Sequence, residues 1–144
     1  MAGTAKAAGG VTPIAEDVAE GPGALQRVML YPGNTILVRI TGSIDMGPDV
    51  VRMTRKLSDH IRSARGSVRV FFDLEGFVRY HSDVRVRYTD ALLPHGDKVE
   101  RITVFADGRL VRMGAQVAGL VLSQLHIVSR NVFDRGLSES LRRR

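Results

Sequence analysis

The chain contains no cysteine, which excludes disulfides, thiolate metal sites and a cysteine nucleophile. No run approaches the roughly 18 apolar residues that a membrane span needs. The amino terminus, MAGTAKAAGGVTPIAEDVAEGPG, has none of the apolar stretch that a secretory signal carries, so a cytoplasmic protein is expected. There is no Gly-x-Ser-x-Gly elbow and no Gly-x-x-x-x-Gly-Lys phosphate loop. His60, His81, His95 and His126 show neither His-x-x-His nor His-x-x-x-His spacing, the patterns that put two metal ligands on one helix face. His81-Ser82-Asp83 holds the residue types of a hydrolase triad, but as consecutive residues, whereas triad members converge from separate segments. These absences argue against an enzyme and a metal site, and no cofactor is implied.

What remains is material for one folded unit. The chain has 144 residues, 44% of them hydrophobic, enough for one sizeable core and too few for two. The formal net charge is +6. The basic excess lies after Gly23, since Lys6 is outnumbered before it by Glu16, Asp17 and Glu20. A basic body could meet nucleic acid, but the arginines are spread over every expected element and do not cluster with aromatic residues. Nucleic-acid binding through an Arg-rich surface is therefore the third reading.

Residues 1–23, rich in Ala and Gly and closed by Gly21-Pro22-Gly23, are expected to form a flexible tail. Residues 25–31 (LQRVMLY) and 35–41 (TILVRIT) read as strands, and Pro32-Gly33-Asn34 between them predicts a hairpin. Gly47-Pro48-Asp49 opens a helix with the stripe Val50, Met53, Leu57, Ile61 and Ala64. Residues 68–74 (VRVFFDL) form a nearly continuous apolar run, as in a central strand covered on both faces. Ser82 is the expected N-cap of a second helix with the stripe Val84, Tyr88, Ala91 and Leu92. Residues 101–106 read as a strand, and Asp107 as the cap of a third helix, 109–124, whose stripe is Leu110, Met113, Val117, Leu120 and Val121. A strand over 126–133 and a helix over 134–141 precede the basic tail 142–144. The expected order is β-β-α-β-α-β-α-β-α. This predicts an α/β domain over 24–141, with helices packed on a single mixed, mainly parallel sheet.

With that order in place, three stretches resemble the STAS domains, the fold of anti-anti-sigma factors. They are Ile40-Thr41-Gly42-Ser43-Ile44-Asp45, Val70 through Phe77 (VFFDLEGF), and Ser82-Asp83 at a helix start. RITVFADGR and RNVFDRGLSESL look closer to the SpoIIAA-like, STAS/SEC14-type small bacterial proteins. The resemblance implies a non-enzymatic regulatory module that docks a protein partner, an anti-sigma-type kinase or another regulator, and it leaves a homodimer open. Its SEC14-type side implies, as an alternative, a small apolar-ligand or lipid carrier. Phosphorylated members open the second helix with two hydroxyl residues and a glycine. Here Ser82 matches the first hydroxyl, Asp83 stands at the usual acceptor position and Val84 at the glycine. Ser82 is thus the hydroxyl left for phosphorylation, while Asp83 is a permanent but partial mimic of a phosphate.

Asp45 and Asp73 both end strands, and parallel strand ends share the rim where open α/β sheets bind ligands. The expected partner-binding set is Asp45, Asp73, Phe77, Tyr80, Ser82 and Asp83. The acids could equally cap turns and helix starts, or form a carboxylate pair for a cation or for acid–base work. Phe77 and Tyr80 could equally fold back onto the core.

Overall fold

A computed structural model of the chain describes residues 10–143. The order is β1 (Ala15–Gly21), β2 (Ala24–Tyr31), β3 (Thr35–Ile44), α1 (Pro48–Ser63), β4 (Val68–Asp73), β5 (Phe77–Tyr80), α2 (Ser82–Leu92), β6 (Val99–Phe105), α3 (Arg109–Gly119), β7 (Leu125–Ile127) and α4 (Arg130–Arg142). A 3-10 turn at Leu93–His95 follows α2. The strands make one mixed sheet in the order β1-β2-β3-β4-β6-β7, with β5 also paired to β3. The β1–β2 and β2–β3 pairs are antiparallel and the rest are parallel. The mixed, mainly parallel sheet with packed helices is thus present.

Strand alternation sends successive side chains to opposite faces, and it divides the core in two. Val28, Ile36, Val38, Ile40, Val70, Phe72 and Val104 meet the buried stripes of α1, α2 and α3. Met29, Tyr31, Leu37 and Phe71 point the other way, onto Phe133, Leu137 and Leu141 of α4. Central β4 is covered on both faces, which is why its sequence is a nearly continuous apolar run after Arg69. Phe133 is fully buried and meets Phe71 edge to face at 5.6 Å; burying a side chain of that size stabilises by about 2–3 kcal/mol.

The β2–β3 hairpin forms as the sequence predicts, with Gly33 and Asn34 both at positive φ. Asn34 Nδ2 also donates to the carbonyls of Arg65 and Ser67, tying the hairpin to the entry of β4. In α1, Val50, Met53, Leu57 and Ile61 are buried, with Pro48 in the first turn. His60, on the polar side of α1, is half-buried and faces Asp17 of β1 at 3.7 Å.

Several expectations are corrected. Ala15 to Gly21 is not tail: it pairs with β2 along its whole length, and Pro22-Gly23 is the hairpin turn. The alternation here buries only Ala19 and leaves Glu16 and Glu20 exposed. Such an acidic edge strand reads as disordered from composition, yet it blunts the sheet edge against pairing with another chain. Residues 1–9 of the expected tail, and Arg144 of the basic one, lie outside the described residues. Arg142 belongs to α4. β5 is an additional short strand. The last strand is only Leu125–Ile127, and Ser129 caps α4 from Arg130, accepting from the Val132 amide. Asp107 does not cap α3; its Oδ1 accepts from the Gly76 amide at 3.1 Å. The stripe of α3 is inverted: Val111, Gly114 and Ala118 are buried, while Leu110, Met113, Val117, Leu120 and Val121 are exposed.

Ten-residue β3 is the template for the centre of the sheet. Thr35 to Arg39 pair with β4, and after a shift at Gly42, Gly42 to Ile44 pair with β5. Gly42 has φ +84 and its amide donates to the carbonyl of Gly76. A Cβ at this position would overlap the carbonyl oxygen of Gly23. Gly42→Ala therefore combines a left-handed backbone with a backbone clash, and is expected to lower the unfolding free energy by about 3 kcal/mol. Urea denaturation checks this; a loss below about 1 kcal/mol would show that the turn yields freely.

Candidate functional site

The rim beyond β3 and β5 is built by their parallel pairing. Ile44 lies opposite Tyr80, and the His81 amide donates to the Ile44 carbonyl at 3.1 Å. Asp45 and the His81-Ser82-Asp83 corner therefore leave the sheet side by side. The cap of α2 is His81, not Ser82: its Nδ1 accepts from the Asp83 amide at 3.2 Å. Ser82 is the first helical residue, and Asp45, Ser82 and Asp83 are all exposed. The Asp83 carboxylate lies 3.7 Å from His81 Nδ1, at the helix end where negative charge is favourable.

Asp73 does not join them. Alternation turns it to the α4 face, where it is 7% exposed. Arg130 donates to both its oxygens, Nη1 to Oδ1 at 3.0 Å and Nη2 to Oδ2 at 3.1 Å. The same guanidinium donates to Glu75 at 2.9 Å and to Asp134 at 2.7 Å. It also lies over the rings of Phe105 and Phe133, at 4.6 and 4.9 Å from their centres. Arg39 approaches Asp73 Oδ2 at 3.4 Å. Burial works against the charge on Arg130, but hydrogen bonds to Asp73 and Asp134 outweigh it, and its pKa rises above the ordinary arginine value. Arg130 is thus a permanent cation. These groups line a polar recess on the α4 side, with Thr41 at its wall. Asp73 is here a member of a satisfied ion cluster rather than an accessible contact. A bidentate fork stacked on aromatic rings is a geometry that lysine cannot reproduce.

Phe77 and Tyr80 fold inward. Phe77 is 5% exposed, and its ring lies 5.4 Å from that of half-buried Tyr80. Tyr80 rests where Gly114 has no side chain, so any Cβ at Gly114 would overlap its hydroxyl. The exposed apolar residue of this strand is Val78, at 61%. Of the six expected contact residues, then, Asp45, Ser82 and Asp83 share an exposed rim, Tyr80 lies half beneath it, Phe77 is in the core and Asp73 faces away. Sequence reasoning missed Arg130, although its i, i+4 spacing to Asp134 after a capping serine was a visible signal. It also missed Val78, for which the period-two alternation of Phe77 to Tyr80 was the available clue.

Arg27 and Arg69 also reach carboxylates, at Glu16 and Glu100 respectively. Among the described residues no helix is long and apolar enough to cross a membrane.

No protein-family model and no curated protein matches this chain. Solved structures do. One is an uncharacterized protein of the DUF3478 family with a SpoIIAA-like fold, from Shewanella loihica PV-4, at TM-score 0.56 and 13% identity, covering 85% of this chain and 92% of that one. Another is the anti-sigma factor antagonist SpoIIAA in its unphosphorylated form, at TM-score 0.55 and 16% identity, covering 85% of this chain and 96% of that one. At such identities the likeness is one of fold, and the fold of this domain is SpoIIAA-like.

Removing the Arg130 charge leaves Asp73 buried with only Arg39 near it. Arg130→Gln is expected to destabilise by about 3 kcal/mol, and adding Asp73→Asn should recover part of that loss. A denaturation double-mutant cycle checks this; simple additivity of the two losses would refute the coupling.

Proposed function

We propose that this SpoIIAA-like domain is a non-enzymatic regulatory module that docks another protein through the corner between β5 and α2. The carrying observation is the shared rim. Val78, Ser82 and Asp83 are exposed on one short segment, and backbone pairing holds Asp45 beside it. Protein contacts draw on such a mixture, an apolar residue bordered by polar and charged ones. Loops held by a rigid sheet are also where binding residues concentrate. The fold shared with an anti-sigma factor antagonist supports a regulator as the partner class.

The chemistry of the corner favours docking over catalysis. His81 turns its Nδ1 to the Asp83 amide, so this nitrogen is occupied as a cap and is not a base for the neighbouring Ser82. Asp83 supplies a fixed charge at the start of α2. A phosphate on Ser82 would add about −1.5 to −2 charge and three acceptor oxygens beside it. The corner would then present a strongly anionic helix start to a basic partner surface. In the unmodified protein Asp83 alone supplies part of that charge, so docking is constitutive but weaker.

Val78 and Asp83 are exposed, so Val78→Asp combined with Asp83→Arg should leave the circular-dichroism spectrum unchanged and lower the unfolding midpoint only slightly, a cation replacing a favourable carboxylate at the start of α2. Affinity capture from the native host, with mass spectrometry, should show at least one protein retained by the wild type and depleted about tenfold by the double variant. That protein, once purified, should bind the wild type directly and the variant more weakly. Identical captured sets for the two baits would refute the rim as the docking surface.

A further inference from the structure

We infer that the exposed face of α3 is a dimer interface, on which a second copy of this chain packs its own α3 antiparallel about a two-fold axis. Helix α3 buries Val111, Gly114 and Ala118 and leaves Leu110, Met113, Val117, Leu120 and Val121 exposed, Leu120 at 84%. Single exposed apolar side chains are ordinary, but a contiguous stripe of large ones marks a contact surface. Leu120 is the C-cap of α3 and keeps helical backbone angles, φ −69 and ψ −25, so the stripe continues past Gly119.

The spacing of the stripe identifies the occupant. Leu110, Met113, Val117 and Leu120 follow one another at three, four and three positions, the seam that two paired helices bury between them. That order reads the same in both directions. A two-fold axis level with Ala115 therefore sets Leu110 against Leu120 of the second copy, and Met113 against Val117 of the second copy. An isologous interface requires such self-complementarity, whereas a partner of unrelated sequence does not. The charges select the antiparallel orientation. No Asp or Glu occurs from residue 108 to residue 133, so a parallel pair would bring Arg109 and Arg112 of both copies together with no carboxylate between them. Antiparallel pairing instead carries Arg109 of each copy to Val121 of the other, at the negative end of that helix dipole. Arg112 is already engaged, its Nη2 donating to the carbonyls of Ala106 and Asp107. Arg109 is exposed and has no hydrogen-bond or ion-pair partner among the described residues. Its aliphatic stem can cover Val121 while the guanidinium stays at the wet rim. A helix of 11 residues offers a small contact area, so the pair belongs to the reversible class of interfaces.

This inference is independent of the docking reading, because it uses no residue of the Val78–Asp83 corner. Sedimentation equilibrium of the full chain is expected to show a reversible monomer–dimer transition in the micromolar range. Val117→Glu and Leu120→Glu, both at exposed positions, should keep the circular-dichroism spectrum of the wild type and weaken dimerisation by about tenfold or more. Orientation is read with single cysteines, which the chain otherwise lacks. Under mild oxidation a mixture of Met113→Cys and Val117→Cys chains should form a disulfide-linked heterodimer, because only facing positions come within disulfide reach. Neither variant alone should cross-link with itself. A wild type that stays monomeric at every concentration would overturn the proposal, as would a dimer indifferent to both glutamate variants. Cross-linking of each cysteine variant with itself but not in the mixture would overturn the antiparallel pairing. A monomeric wild type that sediments with phosphatidylglycerol vesicles would assign the face to a lipid surface and refute the second copy.

Discussion

A carboxylate buried in a sheet has to be neutralised there, and Asp73 sets that condition for half of this domain. Its charge is met by Arg130 from α4 and approached by Arg39 from β3. Arg130 is in turn held by Glu75 and Asp134 and lies over the rings of Phe105 and Phe133. One cluster thus joins two strands, the turn after β4, the end of β6 and α4. Desolvating such a group offsets much of its Coulombic gain, so the cluster is better understood as fixing where α4 lies than as adding net stability. It orients the helix, and the apolar contacts of Phe133, Leu137 and Leu141 hold it there.

With Asp73 committed to the α4 face, the opposite half of the molecule is left to interact. The break between β4 and β5 lets Gly76 meet Gly42 of β3 and carries the chain outward to the β5–α2 corner. Helix α2 presents the proposed docking corner at its first turn and buries residues that follow. Its first residues, Ser82 and Asp83, stand in solvent, while Val84, Tyr88 and Leu92 look into the core.

Much of the fold was legible from local pattern. The apolar stripes of α1 and α2, the Pro-Gly-Asn hairpin and the two-face burial of β4 followed from period and turn chemistry. The resemblance of short motifs to STAS domains led to the same SpoIIAA-like fold as the structural comparisons. The candidate site was less legible. Asp45, Ser82 and Asp83 were placed on one exposed rim, but Asp73 was grouped with them by strand-end position alone, without the parity that turns it to the other face. α3 misled for a related reason. Its large apolar residues lie at helical spacing, and nothing local distinguishes a stripe that packs inward from one left in water.

By itself the sequence determined the order of most elements, the central place of residues 68–74 and a helix opening at Ser82, because backbone propensity and side-chain periodicity act over a few residues. Only the tertiary structure decided that Ala15 to Gly21 is a strand, since an acidic edge strand forms by pairing with β2 and not by its own propensity. Only the tertiary structure decided that Arg130 faces Asp73, that Tyr80 lies over Gly114 and that α3 buries its small side. Each of these depends on which groups are brought together from distant parts of the chain, and desolvation and close packing act only on groups that have met.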